Sequence, residues 1–177
     1  MVPDTIIQLL RICGLIVLLC GITLGEESPV NTTTPDKSEQ SFVVEGPNAA
    51  LRVKFEDLEL RQRLGLDKLP VDVEQQLPQR LKTLDGKVIR IKGEMFPPPT
   101  ESGLTAFAFQ KYVSLTSFGR PVHADEKIGV RMREGVTTDY IQSRQFDVVG
   151  KLTIKPRVRN KELMYLHVIE DAVVIDQ

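Results

Sequence analysis

Apolar and polar side chains alternate most cleanly over residues 84–99, LDGKVIRIKGEMFPPP. Ile89, Ile91 and Met95 fall on one face; Arg90, Lys92 and Glu94 fall on the other. That period of two marks a strand with one buried face and one wet face. The Asp85-Gly86 pair ahead of it is turn chemistry, because Gly accepts positive φ and Asp hydrogen-bonds nearby backbone. Gly93 interrupts the apolar face where a side chain is expected, which predicts a bulge or bend in the strand. Pro97, Pro98 and Pro99 cannot donate to a ladder, so the strand ends by Phe96 and the prolines run on as a stiff extended rim.

The same alternation predicts four more strands. Residues 104–110 place Phe107 and Phe109 on one face, and residues 127–133 turn Ile128, Val130 and Met132 inward with basic residues out. Residues 146–155 point Phe146, Val148, Leu152 and Ile154 inward, with Gly150 again breaking the apolar face. Residues 163–175 are apolar on both faces, with an interruption near Glu170. Upstream, Phe42, Val43 and Val44 form a short strand candidate, and Leu51, Val53 and Phe55 alternate with Arg52 and Lys54. Residues 55–66 read as a helical turn or two closed by Gly65. Pro78 inside the spacing Val73, Leu77, Leu81, Leu84 starts a short helix over 78–83. A mainly β fold follows: a small five-stranded antiparallel Greek-key barrel of the OB type, with one short helix before its first strand. A β-sandwich is the second architecture compatible with the pattern.

The first 25 residues differ from the rest. Arg11 precedes an apolar run over 12–24, the length of a signal-peptide core and short for a membrane span. Thr23 and Gly25 supply small residues for cleavage before Glu26. The reading is an exported, periplasmic or secreted protein with a signal peptide over 1–25. Its alternatives are an N-terminal membrane anchor through residues 6–24 and lipidation at Cys20, where bulky Leu19 is unfavourable. Residues 26–50 read as a disordered spacer rich in Ser, Thr, Pro and charge, and 51–177 as the β domain with an N-terminal extension. Asn31-Thr32-Thr33 matches a glycosylation acceptor, relevant only on a eukaryotic secretory route.

Composition narrows the function classes. Among 177 residues the hydrophobic content is 41% and the net charge −1, so no basic field draws nucleic acid or anionic lipid. Tryptophan is absent and aromatics are 6%, leaving little for a base-stacking platform. Both cysteines, Cys13 and Cys20, lie in the N-terminal segment. Cleavage there leaves a chain without disulfides, thiolate ligands or a cysteine nucleophile.

The segments LDGKVIRIKGEMFPPP, GLTAFAF, SFGRPVHADEKIGVRM, FDVVGKLTI and YLHVIEDAVVI together resemble an uncharacterised family of exported bacterial proteins, a domain of unknown function with OB-like members. The resemblance covers roughly residues 55–175, and its signature is the Leu-Asp-Gly-Lys opening with the Gly-x-Met-x-Pro-Pro end. Many members carry a cysteine pair before the Phe-Gly of the central loop. This chain has Thr116 and Ser117 before Phe118-Gly119, so a metal or redox role resting on those cysteines does not carry over.

No run of residues spells out a reaction. Ser114, Ser117 and His123 are close in sequence, but no strained Gly-x-Ser-x-Gly turn surrounds them. His123, Asp125 and Glu126 are the one compact set of metal-type ligands, with His167, in an apolar strand, the only other histidine. Lys151, Lys155, Arg157, Arg159 and Lys161 are the one basic run; Pro156 is expected to break their strand and Asn160 to form a hairpin tip. The expectation is a non-enzymatic module without cofactor, binding an envelope protein through Phe96, Pro97, Pro98, Pro99, Phe118 and Arg120, with no nucleic-acid partner. A metal or hydrolytic site at His123, Asp125 and Glu126 is the alternative. Polyanion binding by the 151–161 hairpin is the third reading.

Overall fold

The computed structural model describes residues 42–46, 48–114, 119 and 121–175. Residues 1–25, read as a signal peptide, most of the stretch read as a spacer, Ser117, Phe118 and Arg120 lie outside the described residues. Among those described, no helix is long and apolar enough to cross a membrane.

The fold is mainly β, a seven-stranded mixed sheet with few and short helices. Its strands are β1 (Val44–Glu45), β2 (Ala50–Val53), β3 (Val88–Met95), β4 (Ala106–Gln110), β5 (Lys127–Met132), β6 (Phe146–Arg159) and β7 (Glu162–Ile175). The helices are α1 (Phe55–Leu58) and α2 (Gln79–Leu84), with a 3-10 turn at Val73–Gln76 between them. The expected five-stranded antiparallel arrangement is corrected in two respects. β1 and β2, which fall on the upstream candidates at 42–44 and 51–55, join the same sheet as the five strands of the expected barrel, and they begin inside the 26–50 stretch read as spacer. Two pairings, β2 with β3 and β5 with β7, are parallel. No hairpin reaches between parallel neighbours, and the long connections 54–87 and 133–161 supply the crossovers.

Alternation places each strand as expected. Ile89 and Ile91 are fully buried, as are Phe109, Ile128, Val148 and Leu152. Phe55, Phe107, Phe109 and Phe146 form an aromatic cluster, Phe109 lying 5.2 Å from Phe146 and 5.9 Å from Phe55 between ring centroids. α2 buries Leu81 and Leu84 and starts after Pro78, whose missing N–H costs nothing there.

β3 organises the sheet. On one edge residues 88–93 pair antiparallel with β6. On the other, residues 89–91 pair with β2, and Glu94 and Met95 pair with β4. β4 pairs β5, β5 pairs β7 and β7 pairs β6, so the hydrogen-bonded circuit returns to β3. The change of partner from β2 to β4 happens at Gly93, which has no room for a side chain. A Cβ there would run into the Gln110 carbonyl oxygen and stand 2.8 Å and 2.9 Å from the Phe55 and Phe109 rings. Gly150 does the same in β6: a Cβ would sit 2.6 Å from Ile169 and 2.8 Å from the Glu170 carbonyl oxygen. The β6–β7 register shifts there, between Val149 and Lys151, and Asp171 opposite adopts φ 53°.

The Asp85-Gly86 turn forms with Gly86 at φ 74°. Asp85 bonds across to β6 rather than to its own turn, its Oδ1 accepting the Ile154 N–H at 2.8 Å. β6 also runs through Pro156, where a break was expected. The ladder absorbs the proline by shifting register between Ile154 and Arg157. Asn160 and Lys161, at φ 52° and 64°, then turn the hairpin.

Gly93→Ala is expected to destabilise the fold by about 3 kcal/mol and lower Tm by roughly 10 °C, since the obstruction includes backbone. Gly129→Ala, whose new Cβ meets only Val168 at an ordinary 3.7 Å, is the matched control and should leave Tm nearly unchanged in thermal denaturation.

Candidate functional site

Three regions carry the polar chemistry. The first is the loop before β5. Asp125 is 1% exposed, and its Oδ2 accepts the N–H groups of Leu60 at 2.9 Å and Arg61 at 2.8 Å. Glu126 Oε2 accepts the His123 N–H at 3.2 Å, and its Oε1 lies 3.5 Å from an Arg61 guanidinium nitrogen. The two carboxylates thus fasten the loop to the segment after α1. Among the described residues no three His, Cys, Asp or Glu side chains gather as a metal-holding group, so His123, Asp125 and Glu126 are not brought together as ligands.

His167 joins this region from β7. It pairs with Ile128 of β5 and Ile154 of β6, and it is fully buried. Neither ring nitrogen has a hydrogen-bond partner, nor does Asp125 Oδ1. Burial lowers the His167 pKa to about 4, with the charge of Asp125 opposing the shift. The imidazole is therefore a packed neutral ring at ordinary pH. Nearby Glu59 is pushed up by burial and then by Glu56 and Glu126.

The second region is the proline rim. Phe96 is 42% exposed, Pro97 and Pro99 are exposed and Pro98 is half-buried. β6 is antiparallel to β3, with Gly93 opposite Phe146. The rim after β3 and the tip after β6 therefore project from opposite ends of the strands.

The third region is a groove of about 520 Å³ between the outer faces of β4 and β5 and the extended β6–β7 hairpin. Ala106, Ala108, Gly129 and Val168 form an apolar floor; Arg131, Arg157 and Arg159 line it, with Val158, Met164 and Tyr165. Lys155, Arg157, Arg159 and Lys161 are all exposed. A second hollow of about 550 Å³ adjoins the first at Met164 and is bordered by Pro121, Val122, His123 and Lys127. Lys127 is half-buried over the Tyr165 ring at 5.3 Å, and burial lowers its pKa.

The sequence reading missed one polar cluster. Asp147, 9% exposed, accepts from Arg52 at 2.7 Å and from Arg90 Nε at 2.8 Å, joining β2, β3 and β6. Glu45 of β1 stands 3.7 Å from Arg52. The signal was present as opposite charges on three strands, Arg52, Arg90 and Asp147, but only the register sets them side by side.

Removing the Asp125 carboxylate leaves two backbone donors unsatisfied, so Asp125→Ala is expected to cost about 3 kcal/mol in urea denaturation. For His167 the neutral ring favours the fold. That contribution is whole above pH 6.5 and is lost as pH falls towards 4. The stability of the parent chain should therefore drop more steeply between pH 6.5 and 4 than that of His167→Leu, by roughly 3 kcal/mol over the window. Parallel pH-stability curves would show that the ring is not held neutral.

No family profile matches the chain, and no curated protein matches it. Among solved structures it is similar to a DUF3299 family protein from Pseudomonas aeruginosa PAO1, 14% identical with a TM-score of 0.46, over 72% of this chain and 97% of that one.

Proposed function

We propose that the chain is an exported, non-enzymatic binding module of the cell envelope, built on an OB-like barrel. The circuit β3–β4–β5–β7–β6 returning to β3 supports the barrel reading, with β1 and β2 as additions on β3. Greek-key barrels of this kind present ligands on the face of their second and third strands, flanked by connecting loops. The second and third strands of the circuit are β4 and β5. The observation that carries the reading is the groove on their outer face, roofed by the β6–β7 hairpin.

The segment over 1–25, with its apolar core and small residues before Glu26, supports export. The uses found for Asp125 and Glu126, which fasten backbone, weigh against the hydrolytic or metal alternative. The groove is a better-formed contact surface than the proline rim, because it combines concavity, apolar floor and charge.

Affinity capture by the full chain from an envelope fraction tests this reading, with the double substitution Arg157→Glu/Arg159→Glu as the matched control. A partner retained by the parent and lost from the double variant is expected. Equal retention by both, or a hydrolytic turnover that disappears in His123→Ala, would contradict it.

A further inference from the structure

Resting on the reading of the groove as the binding surface, we propose that its ligand is an extended acidic segment of another polypeptide. Three guanidinium groups, Arg131 from β5 and Arg157 and Arg159 from β6, face one concavity whose floor is small and aliphatic. Arg157 and Arg159 have no ion-pair partner among the described residues. Arg131 has only Glu170, at 3.9 Å with both side chains exposed, a weak surface pair. Glu162 beside the tip is turned to Lys68 at 3.2 Å. The groove therefore holds more positive charge than its own carboxylates answer, in a chain whose net charge is −1.

The shape of the ligand follows from the strands. Residues 155–159 of β6 have β7 on one side, and among the described residues no strand on the other, since β3 pairs only with residues 146–151. An extended peptide can add to that edge through main-chain hydrogen bonds, on the same strand whose Arg157 and Arg159 line the groove. Lys155 and Pro156 serve equally as guards against unwanted edge pairing. Arg131 stands across the groove on another strand, where edge protection gives no reason for it. Planar guanidinium groups take carboxylates two hydrogen bonds at a time.

The lining also selects against single-stranded nucleic acid. Single-stranded nucleic acid is gripped by successive aromatic platforms. Here Phe107 is 7% exposed, and Tyr165 is half-buried with Lys127 over its ring. Ala106, Ala108, Gly129 and Val168 instead make a floor for small apolar side chains between the acidic ones.

The test is fluorescence anisotropy of the full chain with a labelled short peptide of alternating Glu and Val. Its counterpart with Gln for Glu and a single-stranded oligothymidine serve as competing probes. Saturable micromolar binding of the Glu peptide is expected, weakening with added salt, and falling at least about tenfold in Arg157→Glu/Arg159→Glu and in Arg131→Glu. Both variants are exposed and should keep the parent Tm. Equal binding of the Gln peptide, tighter binding of the oligothymidine, or indifference to the substitutions would overturn the proposal. If none of the probes binds while envelope capture still depends on Arg157 and Arg159, the acidic-peptide assignment falls and the binding module stands.

Discussion

A strand has two edges, and β3 must satisfy three partners with them. It does so by changing neighbour part-way along its length, from β2 to β4, while β6 occupies the opposite edge. The change needs the backbone of β3 to come against the Gln110 carbonyl and the rings of Phe55 and Phe109 at a distance no side chain permits. Gly93 is the price of closing the circuit. Without the bend, β4 would have no second strand to lie against, and the outer face of β4 and β5 would not be presented opposite the hairpin. Gly150 meets a similar demand where β6 pairs with β7, at the register shift between Val149 and Lys151.

The polar groups divide by what they hold. Asp125 and Asp147 are buried carboxylates whose partners come from distant parts of the chain, and each replaces its lost hydration with directed donors. Asp125 ties the segment after α1 to the loop before β5; Asp147 ties three strands together. His167 is the exception, buried with no partner on either nitrogen, and it survives inside by staying neutral. The arginines of the groove have the opposite character. They are exposed, mostly unanswered by local carboxylates and grouped on one surface, an arrangement that adds little to stability and suits recognition.

Much of this was legible in the residues and some was not. Period-two alternation located β3, β4, β5 and β6, because a strand with one dry side keeps that signal without knowing the neighbour, whereas β7 was found as a run apolar on both faces. The glycines at 93 and 150 were legible as interruptions of that pattern. β1 is two residues long and carries no period. The parallel pairings leave no local trace, since they depend on which distant strand arrives. Pro156 misled for a physical reason: a proline can sit in a strand where the ladder shifts register, and the shift is set by β7. For the site, the basic hairpin was visible as charge, whereas its groove was not, because Ala106, Ala108, Gly129 and Arg131 belong to strands that only the fold sets beside it. His123, Asp125 and Glu126 looked like ligands by proximity in sequence; the backbone N–H groups of residues 60 and 61 occupy Asp125, and the His123 N–H and the Arg61 guanidinium occupy Glu126.

The account stands on the closed circuit, since groove, hairpin and buried carboxylates are all placed by it. Cross-strand NOEs measured in solution on the full chain test this most directly. Contacts between Ile91 and Val148 on one edge of β3, and between Met95 and Phe109 on the other, should appear together in one folded species. Contacts on one edge alone would mean an open sheet, and would contradict the account.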